Sequence, residues 1–249
     1  MQHIVISNYG DESIALLQWI LANKVTQVTV IYVETGWADE NWANRVAAAH
    51  EWLANFGIKV VSIRPKAQFS ELITARGGFP SIKFQWCAGL LKGIPILDWL
   101  ETADPLAQAT ILVPGRRELA RRFAYLPEFL EDSEHFGLRR VWHPLFAHTN
   151  IMLMDLLTKS PLPILGHRAL ECNPCVMSQP QDYQHISPTQ IQHISALEQK
   201  LQQHFLCDPN TKKPAPLPEI INNTKNNNTV PDAGRNFDMG CGIPYGCGL

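Results

Sequence analysis

The sequence predicts an α/β fold built on a doubly wound, mainly parallel sheet, and three observations carry that prediction. Short apolar, β-branched runs recur along the chain, longer stretches with helical spacing separate them, and polar loops close several of the runs. Runs of about 4–8 residues suit strands buried on both faces of a parallel sheet. Their alternation with helices calls for right-handed crossovers and helices on both sheet faces.

The first run, HIVIS at 3–7, stops at the polar NYGDES of 8–13, and Ile14, Leu17 and Leu21 then recur at helical spacing. The second, VTVIYV at 28–33, ends at ETG of 34–36. A helix is expected over 38–56, with acidic residues in its first turn and Gly57 at its end. Further strands are expected at 58–63 (IKVVSI) and 110–114 (TILVP). In such sheets ligands bind beyond the carboxyl ends of the strands. The loops that matter are therefore 8–13, 34–37, the region around Arg64, and GRRELARR at 115–122.

A C-terminal helix is expected within 181–207, opening with Ser187 and Pro188 in N-cap and N1 positions. Beyond it, the Pro- and Asn-rich stretch 208–234 reads as a mobile linker to the Cys-Gly tail that closes the chain at 249.

The chain has 249 residues, 45% of them hydrophobic, enough for one globular domain with an appendage. With 21 Lys and Arg against 23 Asp and Glu, it has no global charge drive toward nucleic acid. The opening MQHIVISNYGDES does not read as a leader and no run reaches about 18 apolar residues, so no membrane partner is expected and a cytoplasmic location is. In a reducing compartment, closely spaced cysteines point to metal ligation or thiol chemistry.

The residues that carry chemistry fall in four places. Small and polar residues at 7–13, between a strand and a helix, leave backbone N–H groups and a helix N-terminus facing one spot suited to phosphate, against the plain alternative of a turn capped by Asp11 or Ser13. Arg116, Arg117, Arg121 and Arg122 offer paired donors for phosphate or sulfate, or simply a solvated basic segment. Cys172 and Cys175 form a Cys-x-x-Cys that can bite one metal with both thiolates, which is half a site. Cys241 and Cys247, each followed by glycine, place thiols on a terminal arm.

These segments, with FPSIKFQWCAGLLKGIPILDWL at 79–100 and GHRALECNPC at 166–175, together resemble the phosphoadenosine phosphosulfate (PAPS) reductase family of the adenine nucleotide alpha-hydrolase superfamily. The resemblance covers most of residues 1–180, implying a nucleotide-binding domain there, and then the tail. It implies that Ser7, Gly10, Asp11, Glu12 and Ser13 cradle the phosphates of PAPS, or of ATP with magnesium. By the same resemblance Thr35, Gly36, Gly115, Arg116, Arg117, Lys83 and Lys92 join the nucleotide site. Cys87 becomes the third ligand, beside Cys172 and Cys175, of a 4Fe-4S cluster, with zinc as the competing metal.

The tail thiols, Cys241 or Cys247, would attack the nucleotide-bound sulfur, and a thioredoxin-like partner would resolve the product. Two departures stand out. The phosphate loop has no lysine and carries Glu12 where aspartate is usual, and the tail lacks the family's terminal histidine. The sequence thus leaves open PAPS reduction, ATP-dependent sulfur insertion into a small molecule or a nucleic acid, and a non-catalytic nucleotide- or metal-binding module.

Overall fold

The computed structural model describes residues 2–208 and 211–226. Six strands form one sheet in the order β3-β2-β1-β4-β6-β5. They are β1 (His3–Ser7), β2 (Val28–Val33), β3 (Lys59–Ile63), β4 (Thr110–Leu112), β5 (Phe129–Ser133) and β6 (Arg139–Trp142). All neighbours run parallel except β5, which pairs antiparallel with β6 at the edge. The two strand segments beyond the expected four sit where the sequence shows no buried run: most of β5 is exposed, and β6 opens on two arginines.

Side chains of a strand alternate between the faces, and each face here meets its own helices. Val5, Val30, Tyr32 and Leu112 pack with α1 (Asp11–Ala22), α2 (Trp42–Ala54) and α6 (Asn150–Thr158). Ile4, Ile6, Ile31, Val33 and Ile111 turn the other way, onto Ile96 and Leu100 of α5 (Ile94–Ala103). This is the doubly wound arrangement that the run-and-helix alternation predicts.

The helix ends differ in detail from expectation. Gly10 is the N-cap of α1, and no side chain caps it, so neither Asp11 nor Ser13 has that role. Asp39 and Glu40 precede α2 rather than forming its first turn; the Asp39 carboxylate accepts from Asn41 N–H at 2.9 Å, making a turn that leads into the helix. Gly57 closes this segment with φ +67°, a conformation open to glycine at little cost.

The remaining elements form a lobe of their own. Between β3 and β4 lie α3 (Phe69–Arg76) and α4 (Trp86–Ala88), the latter running through a π turn, Gly89–Gly93, into α5. After Cys175, a 3-10 segment (Pro180–His185) leads to α7 (Pro188–Leu201), a hairpin of β7 (Leu206–Cys207) and β8 (Pro214–Ala215), and α8 (Leu217–Asn226). Ser187 is the N-cap of α7 in a full capping box with Gln190, and Pro188 follows, as expected.

The linker reading fails over 211–226. Leu217, Ile220 and Ile221 recur at helical spacing, are buried, and join Ile73, Ile194, Leu197 and Phe205 in one apolar cluster. Buried Glu198 holds the hairpin beneath them, accepting from Phe205 N–H at 2.9 Å and Leu217 N–H at 3.3 Å. No helix among the described residues is long and apolar enough to cross a membrane.

Candidate nucleotide site

In the order β3-β2-β1-β4-β6-β5, the chain direction of the winding reverses between β1 and β4. The crevice beyond the carboxyl ends of two such strands is where open α/β sheets place ligands. Two loops meet there: 8–10, leading into α1, and 113–116, following β4.

The first loop is shaped by its own polar side chains. Asn8 Oδ1 accepts from Gly10 N–H at 2.9 Å and from the Ser13 hydroxyl at 2.8 Å, and Ser7 Oγ accepts from Tyr9 N–H at 3.2 Å. Tyr9 adopts φ +59° and sends its ring under the loop onto Tyr32 and His50, with centroids 5.3 and 5.5 Å away. Burial raises the Tyr9 and Tyr32 hydroxyl pKa values above the usual tyrosine range, so both rings stay neutral. No side chain caps the first turn of α1, which lies at the end of β1, and a helix N-terminus favours an anion.

Each carboxylate of that turn has an arginine. Arg116 grips Glu12 through Nε and Nη2, both at 2.7 Å, and also donates to His148 O and Asn150 Oδ1. Arg45 lies 3.4 Å from Asp11, whose oxygens also accept from Leu165 N–H, while its Nε holds Tyr9 O. Arg116 is thus a buried, bidentate partner of Glu12, and the carboxylate occupies its paired donors. Burial, with Arg116 alongside, lowers the pKa of His148.

Gly115 is required by a close approach. A Cβ there would stand 2.8 Å from Leu126 and 2.9 Å from His143. Arg117, next in line, is exposed, with its guanidinium 4.8 Å from the Phe146 ring centroid and Nε donating to Leu126 O at 2.9 Å. Arg121 and Lys83 are exposed as well.

The Cys-x-x-Cys loop is stitched to the loop after β2. Trp37 and Cys172 form a parallel bridge, Asn173 N–H donates to Trp37 O at 2.8 Å, and Trp37 Nε1 donates to Pro174 O at 3.0 Å. Thr35 Oγ1 donates to Glu171 O, and Gly36 turns the chain between Thr35 and Trp37 with φ +70°. Glu171 in turn binds Lys92 at 2.7 Å and receives Asn8 Nδ2 at 3.3 Å. Lys92 is thereby placed at the site, but as the partner of a buried carboxylate, Glu171, that the sequence reading passed over.

The thiols gather in this neighbourhood. Burial pushes the Cys172 thiol well above its ordinary pKa; Lys92 pulls it down, while Cys175, Glu171 and Cys87 push it further up. Burial alone would lower the Arg168 pKa, but Cys175, Asp182, Glu171 and Cys172 outweigh it and raise the value. Cys87 and Cys172 both pack against the C-terminal lobe's apolar cluster. Cys175 is occupied locally, its N–H donating to Ser178 Oγ at 3.0 Å and its sulfur accepting from Met177 N–H at 3.5 Å.

Among the described residues, no group of three or more His, Cys, Asp or Glu side chains is placed to hold a metal ion. Cys87 and Cys175 both act electrostatically on the Cys172 thiol, so the three expected ligands share one neighbourhood. Cys241 and Cys247 lie outside the described residues.

Ser7, Gly10, Asp11, Glu12, Ser13, Thr35, Gly36, Gly115, Arg116 and Lys92 are thus brought to the carboxyl ends of β1, β2 and β4, with Arg117 at the rim and Lys83 on the exposed segment before α4. Sequence reasoning missed Glu171, Asn8 as a loop organiser, and Arg45. Only Asn8, inside the phosphate-loop motif, carried a local signal.

No protein-family model matches the chain. No curated protein matches it. Among solved structures it is similar to PAPS reductase from Candida auris in a phosphate complex, with 16% identity and a TM-score of 0.49 over 68% of this chain and 80% of that one. It is similar to Candida glabrata FMN adenylyltransferase in complex with ATP, with 11% identity and a TM-score of 0.43 over 66% of this chain and 48% of that one. A third similar structure is the U34-tRNA thiolase NcsA from Methanococcus maripaludis with its 4Fe-4S cluster, at 12% identity and a TM-score of 0.41 over 91% of this chain and 72% of that one.

Proposed function

We propose that the chain is an enzyme that binds an adenine nucleotide, PAPS or ATP, at the β1/β4 crevice and performs thiol-based sulfur chemistry on it. One observation carries this reading: the loop bearing Cys172 and Cys175 is bonded to the loop after β2, beside the uncapped N-terminus of α1. In this reading phosphate and thiol chemistry meet at one end of the sheet.

In this reading the first-turn N–H groups of α1 hold the phosphates. Arg116 and Arg45 neutralise Glu12 and Asp11, which would otherwise repel an anion. Exposed Arg117 supplies charge at the rim. With PAPS, a cysteine thiolate attacks the sulfur of the sulfate group. An S–S bond forms as the bond from that sulfur to the phosphate oxygen breaks, and adenosine 3′,5′-bisphosphate leaves with the electron pair. A dithiol reductant of the thioredoxin type then reduces the thiosulfonate, releasing sulfite and becoming a disulfide. Cys241 and Cys247 are the proposed nucleophiles, because their Cys-Gly pairs resemble the segment that carries the attacking thiolate in the PAPS reductase family.

The bonding of the Cys-x-x-Cys loop to this end of the sheet favours a second reading: ATP adenylates an acceptor, including a nucleic acid, pyrophosphate leaves, and sulfur from a sulfide donor bound at Cys172 and Cys175 displaces AMP. Product analysis decides between them. Sulfite formed from PAPS and a dithiol, and abolished in Cys241→Ser/Cys247→Ser, supports reduction. Pyrophosphate formed from ATP, with acceptor sulfuration lost in Cys172→Ser/Cys175→Ser, supports transfer. Nucleotide binding without either product under reducing, oxygen-free conditions leaves a binding module and overturns the enzyme reading.

A further inference from the structure

We propose that Glu171 reads the nucleoside of the bound nucleotide, its Oε2 accepting a hydrogen bond from a neutral N–H or O–H donor on the ligand. The inference rests on the nucleotide reading above and deepens it.

Glu171 is 2% exposed, and its two oxygens are treated unequally. Oε1 receives Lys92 Nζ at 2.7 Å and Asn8 Nδ2 at 3.3 Å. Oε2 is buried and has no donor. Among the described residues it is the one buried carboxylate oxygen so left. Three buried acids of the same sheet end and lobe are served at both oxygens: Glu12 by Arg116, Asp11 by Arg45 and Leu165 N–H, Glu198 by two backbone N–H groups. A buried acceptor without a partner is costly, and folds keep few of them.

Its place in the fold says what supplies the missing donor. Glu171 is held by Asn8 of the phosphate loop, by Thr35 after β2 through its backbone carbonyl, and by Lys92. It therefore stands between the ends of β1 and β2, next to the helix N-terminus assigned to phosphate. A nucleoside attached to that phosphate reaches this ground. Lys92 pairs with the carboxylate and Arg168 adds positive charge nearby, so a neutral donor suits Oε2 better than a further cation. The nucleoside has two sources of such a donor, the ribose hydroxyls and the adenine amino group. The ion pair fixes the carboxylate before the ligand arrives, which suits selection between near-identical nucleosides.

The test uses the full chain and competition titrations in which AMP, 2′-deoxy-AMP, 3′-deoxy-AMP and purine riboside 5′-monophosphate displace bound ATP or PAPS. The expected result is that one analogue competes about 10- to 150-fold more weakly than AMP, the factor of one hydrogen bond to a charged group. Which analogue does so identifies ribose or base as the donor. In Glu171→Gln, whose amide offers N–H toward the ligand while its oxygen faces Lys92, AMP should fall to the level of that analogue. Should thermal melting show that this variant is unfolded, Lys92→Met/Glu171→Gln, which removes both charges, replaces it. Equal competition by all four nucleotides in the wild type overturns the proposal, as does discrimination that survives the substitution. A wild type that binds neither ATP nor PAPS overturns this inference and the nucleotide reading together, and so is distinguishable from failure of the inference alone.

Discussion

The two ends of the sheet each bury ion pairs, and they finish them differently. At the amino end, Arg139 at the start of β6 meets Asp104 after α5: Nε donates to the carboxylate at 2.7 Å, and the other nitrogens donate to Phe136 O, Leu100 O and Asp104 O. Asp104 is also served by Gln108 and Ala109 N–H, so the network is closed. At the carboxyl end, Arg116–Glu12, Arg45–Asp11 and Lys92–Glu171 gather around an uncapped helix, and Glu171 Oε2 has no donor. A closed network clamps a fold, and an open one retains capacity for a ligand.

The sharpest way to break this comparison is to remove one arginine from each end. Arg116→Ala strands Glu12, and Arg139→Ala strands Asp104; each should cost about 3–5 kcal/mol, because an uncompensated charge stays buried. Denaturant unfolding measures the loss. The ends then separate on binding: Arg139→Ala, assayed where it remains folded, should bind nucleotide as the wild type does, and Arg116→Ala should bind it more weakly. Equal binding defects in the two variants would remove the distinction between clamp and site.

The same contrast explains what the sequence made legible. The strands β1 to β4 announce themselves through local runs of β-branched residues, and α7 through Ser187-Pro188, because those signals lie within a few residues of one another. The ion pairs do not. Glu12 and Arg116 are 104 residues apart, and Lys92 and Glu171 are 79 apart, so an arginine destined for burial reads the same as one facing phosphate. Glu171 stands directly before Cys172 and reads as part of the thiol motif's flank. The linker reading of α8 failed because its asparagines dominate composition while Leu217, Ile220 and Ile221 alone do the packing.

The C-terminal lobe sharpens the comparison from the other side, since its buried acid serves backbone rather than ligand. Glu198→Ala orphans Phe205 N–H and Leu217 N–H, and should cost about 2–3 kcal/mol in thermal or denaturant unfolding. Nucleotide affinity should be unchanged. Gly115→Ala touches the site without any charge: its Cβ meets Leu126 and His143 below 3.0 Å, and about 1–2 kcal/mol of overpacking should come with weaker nucleotide binding. Wild-type affinity in Gly115→Ala would show that the β4 loop is not part of the binding surface.

The smallest effect is a pH dependence that reaches the site through His143. Burial lowers its pKa, although Nδ1 lies 2.9 Å from Pro127 O and that carbonyl raises it in part. A depressed histidine pKa means that the unfolded chain, with an ordinary value near 6.5, binds the proton more readily than the folded one. The stability this group contributes is complete above about pH 6.5 and is lost as pH falls toward the folded value. His50, His148 and His185, also lowered by burial, act in the same sense. Unfolding free energy measured from pH 7.5 down to 5 should therefore decline. In His143→Gln the decline should be shallower, because one of the four groups no longer titrates. An identical slope in the variant would mean that the imidazole is as readily protonated in the folded chain as in the unfolded one, and that its burial beside the β4 loop does not hold it neutral.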